Sequence, residues 1–306
     1  MQAAPARLHD PAPPPPLSLP IAWYSVLGVP VAVASDVAVA LLHVDETYTA
    51  FRAAPDSLDQ AIVLRFTRAP EGIGYMVSGV AAPRRWPAYE AALLDLLNRI
   101  VHALLGRLLA QGIYVIHAGA VVHRGAALAL AGRSGQGKTT LTLGLLRRGL
   151  GLLSDEFAVV GPDARLLLPY HRSPHVRPGT PELIPELRFL HDRPRRQLGG
   201  GSEWAVAPHD LARAFPGCLA EAAPLRSVLL LDGVPGAGER PAITPLPAAL
   251  AALELLRSAW AASVNFDGAL AQIGRLLDGV VCARLRIGAL EPTLDAILAW
   301  LEAPHG

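Results

Sequence analysis

The alternation of hydrophobic and polar positions predicts short strands and amphipathic helices in turn, which is typical of an α/β protein. In the amino-terminal part, strands are predicted over residues 23–34, 61–67 and 74–80, and a helix over 37–51. Residues 21–85 are therefore expected to form a small α/β domain. The segment 81–87 contains two prolines, and this composition favours a linker.

A longer helical pattern begins at residue 89. Apolar side chains recur there at the spacing of one helix face and predict a helix over 89–111: Leu93, Leu96, Leu97, Ile100, Leu104 and Leu108. Further strands are predicted over 113–122, 126–131, 157–160, 165–168 and 227–231, and further helices over 138–148, 246–259 and 293–301. These elements place residues 86–306 in a second α/β domain.

Composition allows a large core but does not indicate a charged partner. The 306 residues are 52% hydrophobic, and the formal net charge is +1. A balance this close to neutral gives no overall field that would attract nucleic acid or an anionic membrane, so we expect neither as a partner. The two cysteines, Cys218 and Cys282, lie far apart without metal-ligand spacing and are expected to be reduced and structural.

The amino terminus and the hydropathy of the chain bear on its location. Residues 1–20 are rich in proline and are expected to form a disordered or polyproline arm. This arm lacks the charged-then-apolar order of a secretory signal, and the chain has no run of about 18 uncharged apolar residues that could span a bilayer. We therefore expect a cytoplasmic protein, and the sequence leaves a homo-oligomer open.

The most specific feature of the sequence is a complete phosphate-binding loop motif. Residues 132–139 have the spacing G-x4-G-K-[S/T] between a predicted strand and a predicted helix, an order that a chance glycine turn would not require. Glycines let backbone N–H groups turn towards phosphates, where the positive end of the following helix also points. The predicted nucleotide-binding residues are Gly132, Arg133, Ser134, Gly135, Gln136, Gly137, Lys138, Thr139 and Thr140.

Lys138 differs from the other basic residues of the chain. Of the 27 lysines and arginines, it alone is a lysine. An ammonium group is a compact charge that fits between phosphate oxygens, whereas a guanidinium group is wide. We expect Lys138 to bridge the β- and γ-phosphates of ATP and the Thr139 hydroxyl to ligate Mg²⁺.

Two adjacent acids, Asp155 and Glu156, follow a short apolar run after the loop. One can hold Mg²⁺, directly or through water, while the other accepts the proton of an attacking hydroxyl. We expect Asp155 to hold the metal and Glu156 to be the base, although the two roles could be exchanged. The alternative is a solvated acidic turn without a role in chemistry.

Histidines on both sides of the loop are further candidates. His117 lies in the predicted strand 113–122, and a lone histidine in such a strand is more often a hydrogen-bonded core residue than a catalyst. Its candidacy as a catalytic residue therefore depends on the motifs that follow it. A second group lies in a proline-rich segment downstream and could reach the phosphate site: His171, Arg172, His175 and Arg177.

Together these spacings resemble the bacterial HPr kinase/phosphorylase family, which phosphorylates a serine of the carrier protein HPr and shares a P-loop core with phosphoenolpyruvate carboxykinase. The family pattern is a histidine, the G-x4-G-K-[S/T] loop, an Arg-Gly helix end and paired acids. The matching residues here are His117, residues 132–139, Arg148-Gly149 and Asp155-Glu156. The resemblance implies an α/β P-loop kinase core, ATP and Mg²⁺ as cofactors, and catalytic roles for His117, Lys138, Asp155 and Glu156.

The sequence departs from that family in two places. Glu156 stands where the family usually has aspartate, and the later signature Leu-Glu-Ile-Arg-Gly is absent. The pattern is closer to HPr-kinase-related proteins found beside peptide-modification genes, some of which resemble serine kinases that act on ribosomal peptide precursors. By this resemblance the expected partner is a serine of a peptide or protein, such as a ribosomal peptide precursor.

Other functions and other sites stay open at this point. The motifs also suit a kinase for a small molecule, or a scaffold in which ATP orders a loop for a partner without turnover. A GTPase is excluded because Asn-Lys-x-Asp would need a second lysine. The apolar run 228–232 ends in Asp232 like a magnesium-site strand, but a strand that enters a turn at Gly233 is the preferred interpretation. The basic stretch 188–201 is expected to be an exposed loop.

Overall fold

The computed structural model describes residues 19–55, 58–70, 72–199, 201–233, 240–259 and 266–304. The expected proline-rich arm lies outside these ranges except for Leu19 and Pro20. Within them the chain divides into two compact units. One unit comprises the described residues up to Asp45 together with Phe51–Leu104, and the other comprises Glu46–Ala50 together with the described residues from Leu105 onward. The expected domain boundary at residues 85 and 86 stays a prediction.

The first unit is built on a five-stranded sheet in the order β1-β2-β3-β4-β5. Its elements are β1 (Ile21–Val26), β2 (Val29–Ser35), α1 (Ala38–Tyr48), β3 (Ile62–Arg68), β4 (Tyr75–Gly79), β5 (Ala81–Trp86) and α2 (Tyr89–Ala110), and both helices continue into residues of the second unit. Strands β2 and β3 run parallel, and the other neighbouring pairs are antiparallel. The helical spacing of α2 agrees with its burial, because Leu93, Leu96 and Ile100 are almost fully buried.

The segment expected to be a linker is strand β5. It pairs with β4 at the edge of the sheet. An edge strand tolerates proline because one side of its backbone needs no partner in the sheet, so Pro83 does not prevent pairing. The guanidinium group of Arg99 also donates hydrogen bonds of 3.0 to 3.3 Å to three carbonyl oxygens around the start of β5. The linker prediction was wrong because proline, which usually interrupts strands, is compatible with a strand at the edge of a sheet. The sequence does not show that this segment lies at such an edge.

The second unit contains an eight-stranded mixed sheet and a separate three-stranded sheet. Its strands are β6 (Tyr114–His123), β7 (Ala126–Ala131), β8 (Gly151–Ser154), β9 (Phe157–Val160), β10 (Leu166–Leu168), β11 (His175–Val176), β12 (Arg196–Leu198), β13 (Gly201–Ala205), β14 (Ala223–Asp232), β15 (Ala242–Pro245) and β16 (Val281–Arg286). Its α-helices are α3 (Lys138–Arg147), α4 (Thr180–Leu183), α5 (Pro208–Ala214), α6 (Ala248–Ser258), α7 (Phe266–Leu276) and α8 (Leu290–Glu302).

The large sheet has helices on both faces. Its strand order is β10-β9-β6-β7-β14-β16-β15, and β8 also pairs with β6. Strands β7, β14 and β16 run parallel, which explains their nearly continuous apolar sequences, because both faces of such strands are buried. Leu230 belongs to a core cluster with residues of α6 and α7, whereas Leu229 belongs to a second cluster with residues of α3 and α8.

The small sheet has the strand order β11-β13-β12. It includes part of the basic stretch 188–201, for which the sequence prediction was wrong. That basic stretch was expected to be an exposed loop, but it contains the end of a 3₁₀-helix (Pro185–Asp192) and strand β12. Arg196 is only 5% exposed, and its guanidinium group donates to Thr47 Oγ1 and to His175 Nε2, each at 3.0 Å. Composition alone could not distinguish this buried arginine from its exposed neighbours.

Two remaining expectations concern the membrane and the cysteines. None of the helices in the described part of the chain has both the length and the apolar character needed to cross a membrane. Cys218 and Cys282 are both buried free thiols, as expected. Burial raises the pKa of Cys282 to about 11, so this thiol is unreactive at neutral pH.

Candidate functional site

Strand β7 leads directly into the glycine-rich loop, residues 132–137, and helix α3 begins at Lys138. Gly137 precedes the helix with a φ of 83°, and Gly135 has a φ of 85°. These are left-handed conformations that a side chain would strain. The first backbone N–H groups of α3 have no partner inside the helix, and the helix dipole makes this end positive. The loop and the start of the helix therefore have a geometry and a partial charge that suit an anion such as phosphate.

The ammonium group of Lys138 lies over this loop. It donates hydrogen bonds to the carbonyl oxygens of Gly132, at 2.8 Å, and Arg133, at 3.1 Å, and the residue is only 8% exposed. Burial lowers the pKa of Lys138, while the nearby carboxylates of Glu156 and Asp155 oppose that shift. A phosphate that bound here would compete with the two carbonyl groups for the ammonium.

Asp155 and Glu156 form the bend between β8 and β9, both of which pair with β6. The hydroxyl group of Ser154 fixes this bend, because it accepts hydrogen bonds from the backbone N–H groups of Glu156, at 3.3 Å, and Phe157, at 3.0 Å. The bend brings Asp155 to helix α3, where Thr139 Oγ1 donates to Asp155 Oδ2 across 3.4 Å. The loop motif and the acidic pair thus meet in the folded chain.

Thr139 and Asp155 present oxygen donors of the kind that Mg²⁺ prefers. Asp155 is 4% exposed, and its burial raises the pKa of the carboxyl group to about 7. In the described part of the chain no three His, Cys, Asp or Glu side chains form a cluster for a metal ion. Mg²⁺ in nucleotide sites usually takes only one or two protein ligands and completes its shell with phosphates and water, so this hydroxyl and carboxylate fit a Mg²⁺–nucleotide.

Glu156 forms an ion pair with Arg172, a residue between β10 and β11. The guanidinium group of Arg172 also lies over the ring of Phe157, 5.6 Å from its centroid, and the residue is 8% exposed. Burial alone would raise the pKa of Glu156, but the attraction of Arg172, with smaller contributions from His175, His117 and Lys138, lowers it overall. Glu156 is therefore held as a carboxylate.

His117 lies beside the start of the loop because of the register between two strands. Ala118 of β6 pairs with Ala131 of β7, so the preceding residue of β6 is level with the first residue of the loop. On its other side His117 pairs with Phe157 of β9, and the two rings meet edge-on at 6.1 Å. Burial, together with Lys138, lowers the pKa of His117, which leaves the imidazole neutral at pH 7.

These side chains line one cavity of about 260 Å³. It brings together nine of the twelve residues that the sequence analysis assigned to nucleotide, metal or catalysis: His117, Ser134, Gly135, Gly137, Lys138, Thr139, Thr140, Asp155 and Glu156. Five further residues complete the lining: Arg172, His175, Arg177, Thr180 and Glu203. The other three predicted loop residues, Gly132, Arg133 and Gln136, line an adjoining cavity of about 660 Å³, which His117 and Ser134 also border.

Comparisons with known proteins leave the family of this chain open. No family model matches it, and no curated protein matches it. Among solved structures it is similar to the Hpr(Ser) kinase/phosphatase from Coxiella burnetii, with 13% sequence identity over 61% of this chain and 97% of that chain, and a TM-score of 0.30. A superposition this loose does not establish a shared fold or a shared activity.

The cavity also contains residues that belong to neither the loop motif nor the acidic pair. Only some of these could be recognised as candidates from the sequence. Arg172, His175 and Arg177 stood out as a cluster of basic side chains in a proline-rich segment. Glu203 had no such signal, because it reaches the site through the pairing of β11 with β13. His175 Nδ1 lies 2.9 Å from Glu203 Oε1, while its Nε2 accepts a hydrogen bond from Arg196.

Asp232, the rival magnesium ligand, does not line the cavity of about 260 Å³. It is the last residue of β14 and is followed by Gly233 with a φ of 83°, so the strand runs into a turn as expected. Its carboxylate lies 3.9 Å from the guanidinium group of Arg284 and lines the larger cavity. The acid that is hydrogen-bonded to the loop threonine is Asp155.

Proposed function

We propose that this protein is an ATP-dependent phosphotransferase that moves the γ-phosphoryl group of ATP to a hydroxyl, with a serine of a peptide or protein as the acceptor. The observation that carries the proposal is the contact between Thr139 Oγ1 and Asp155 Oδ2. A glycine-rich loop alone supports only phosphate binding. A loop hydroxyl that meets a buried carboxylate adds the oxygen donors of a Mg²⁺ site, which phosphoryl transfer requires.

The glycine-rich loop and the start of α3 would hold the phosphates of ATP through backbone N–H groups. Lys138 would leave the carbonyl oxygens of Gly132 and Arg133 and bridge the β- and γ-phosphates. Thr139 and Asp155 would hold Mg²⁺, which neutralises negative charge on the phosphate oxygens. This arrangement is supported by the position of all three side chains in the same cavity wall.

Glu156 is the proposed proton acceptor. The acceptor oxygen forms a bond to the γ-phosphorus, the bond from that phosphorus to the β–γ bridging oxygen breaks, and the acceptor proton moves to a carboxylate oxygen of Glu156. The products are ADP and the phosphorylated acceptor. His117, neutral and beside the start of the loop, would assist the acidic pair.

The finer assignments belong to the same proposal. A P-loop kinase core of the HPr kinase type is supported by the parallel strands β7 and β14 and by the loop and helix that follow β7. Peptide or protein serine as acceptor, including a ribosomal peptide precursor, rests on the motif resemblance alone. The two-domain division at residues 85 and 86 and a homo-oligomer are likewise proposals.

Incubation of the protein with ATP, Mg²⁺ and candidate acceptors tests the function, with mass spectrometry to locate the transferred phosphate. Serine-containing peptides and small alcohols should be offered in separate reactions. We expect a phosphorylated serine peptide and ADP in equal amounts. Product only from small alcohols would indicate a small-molecule kinase, and nucleotide binding without any phosphorylated product would indicate a scaffold.

A further inference from the structure

Arg172 is a buried cation in the cavity wall that the loop and acid motifs do not include. Both residues next to it in the chain are held in place: His171 Nε2 is 2.9 Å from the carbonyl oxygen of Leu152, and the N–H group of Ser173 donates to the carbonyl oxygen of Thr47 at 3.0 Å. Its guanidinium group pairs with Glu156, and its buried Nε has no hydrogen-bond partner among the described residues. The fold thus holds a cation beside the site and leaves one of its hydrogen-bond donors without a partner among the described residues.

The two buried cations of the cavity are both committed to protein partners. Lys138 is bonded to the carbonyl oxygens of its own loop, and Arg172 is paired with Glu156. A nucleoside triphosphate would bring several negative charges into this cavity. Lys138 can neutralise only part of that negative charge, because a single ammonium group carries one positive charge and three hydrogen-bond donors.

We propose that Arg172 exchanges partners during the reaction: it leaves Glu156 and binds the γ-phosphoryl oxygens of the nucleotide. This inference rests on the proposed phosphotransferase function. Arg172 is then a catalytic residue, because it contacts the group that is transferred. The exchange leaves Glu156 to face the acceptor hydroxyl, so that the base becomes available only when a triphosphate is in place.

The chemistry of the guanidinium group favours this exchange. Its planar fork can donate two parallel hydrogen bonds to phosphate oxygens, which are stronger than bonds between neutral groups. An arginine supplied by the same chain stabilises the charge that spreads over the γ-phosphoryl oxygens during transfer. Phe157 remains under the guanidinium plane and would keep its orientation while the anionic partner changes.

Calorimetric titration of the full-length protein with β,γ-imido-ATP or ADP, each with Mg²⁺, tests the proposal. A γ-phosphoryl contact concerns only the triphosphate. We therefore expect Arg172→Gln to weaken binding of β,γ-imido-ATP by about 10- to 100-fold, as for a lost hydrogen bond to a charged group, and to leave ADP binding unchanged. The matched control is Arg226→Gln, an exposed arginine on β14 outside the cavity.

The variant Glu156→Gln isolates the exchange. It removes the carboxylate that competes for Arg172, so the triphosphate analogue should bind more tightly than to the wild type. The double variant Glu156→Gln/Arg172→Gln should lose that gain. The double variant also tests the proposal if Arg172→Gln alone fails to fold, because it leaves no unpaired buried charge from this ion pair. Arg172→Lys keeps a positive charge and should restore part of the triphosphate preference.

The outcomes separate this inference from the proposed function. If Arg172→Gln weakens both nucleotides equally, or changes nothing in the Glu156→Gln background, Arg172 only supports the fold and the partner exchange is wrong. If the wild type binds neither nucleotide, the proposed function fails and the inference fails with it. Under the proposal, single-turnover transfer by Arg172→Gln should be slower by about 10³-fold or more.

Discussion

Helix α3 has charged side chains at both ends, and the two ends lie in opposite surroundings. At the amino end, Lys138 is buried over the glycine-rich loop, and Thr139 meets the buried Asp155. At the carboxyl end, Arg147 and Arg148 form ion pairs with partly exposed acids on the surface: Glu186, Glu291 and Asp295. Both ends therefore combine cations with acids, but only one of them does so inside a cavity.

The comparison shows how the surroundings of a charge indicate its purpose. Cations at the carboxyl end of a helix are favoured by the helix dipole, so the two arginines suit a structural role. A cation at the amino end is disfavoured by the same dipole, and burial adds a desolvation cost. Lys138 is thus placed where its charge lowers stability, and an anion bound to the loop would offset that cost.

The largest expected effect follows from this placement. Lys138→Ala should slow phosphoryl transfer by about 10³-fold or more, because the charge that bridges the phosphates is lost. The same change should leave the midpoint of thermal unfolding equal or slightly higher, since a disfavoured buried charge is removed. Single-turnover kinetics and calorimetry measure the two quantities. Transfer at the wild-type rate would contradict the phosphotransferase assignment.

The acidic pair should give the next largest effects and can separate its two roles. Glu156→Gln keeps the volume of the side chain but removes the base, so transfer should slow by about 10²- to 10⁴-fold while nucleotide still binds. Asp155→Asn should instead weaken nucleotide binding in the presence of Mg²⁺. The two results would be interchanged if the roles are interchanged.

Nucleotide titrations with and without Mg²⁺, together with single-turnover transfer, decide between these assignments. If both variants behave like the wild type, the bend at residues 155 and 156 is only a solvated turn, and the amino end of α3 loses its proposed metal site.

Thr139→Val tests the metal site from the helix side. The change removes the hydroxyl that lies 3.4 Å from Asp155 while it keeps the shape of the side chain. We expect half-maximal activity to require about tenfold more Mg²⁺, the effect of one lost polar interaction. Thr244→Val, at an exposed position on β15, is the matched control. Full activity of the wild type in excess EDTA would show that the reaction needs no divalent metal.

The amino end of α3 could be predicted from the sequence because its signals are local. Strand β7 and the start of α3 lie where the apolar run and the G-x4-G-K-[S/T] spacing placed them. The position of His117 beside the loop also follows from a short-range feature, the hairpin that joins β6 to β7 through Arg124 and Gly125. A motif of this kind specifies its own backbone, so neighbouring residues are sufficient to predict it.

The rest of the site depends on contacts that are distant in the sequence. Arg172 reaches Glu156 from the segment between β10 and β11, and Glu203 reaches His175 through the pairing of β11 with β13. No local pattern determines either contact. Arg196 was misassigned for the same reason, because its burial depends on Thr47 far upstream. These side chains could be named as candidates at most, since partner and burial are properties of the folded chain.

A smaller effect is expected where α3 ends. Gly149 has a φ of 85°, and a Cβ there would meet nothing within 4 Å, so the cost of Gly149→Ala is backbone strain alone. We expect the free energy of unfolding to fall by about 1 to 2 kcal/mol, with no change in transfer rate. Gly274→Ala is the matched control, because that glycine lies in α7 with open space and without a positive φ. It should be neutral or stabilising by about 0.5 to 1 kcal/mol. Equal destabilisation by both changes would contradict the role of the left-handed conformation.

The smallest effect is expected for the surface arginines at the carboxyl end. Arg148 Nη2 lies 2.8 Å from both Glu291 Oε2 and Asp295 Oδ1, but its side chain is 32% exposed and those of the two acids are 49% and 63% exposed. Exposed pairs of this kind contribute about 0 to 1 kcal/mol, and salt screens them. Arg148→Gln should therefore lower the free energy of unfolding by no more than that, less at 1 M than at 0.1 M NaCl, and should leave transfer at the wild-type rate. The resemblance to the HPr kinase family includes an arginine and a glycine at this helix end. A marked loss of transfer in Arg148→Gln would therefore show that the carboxyl end of α3 also takes part in the chemistry. The contrast between the two ends of the helix would then be wrong.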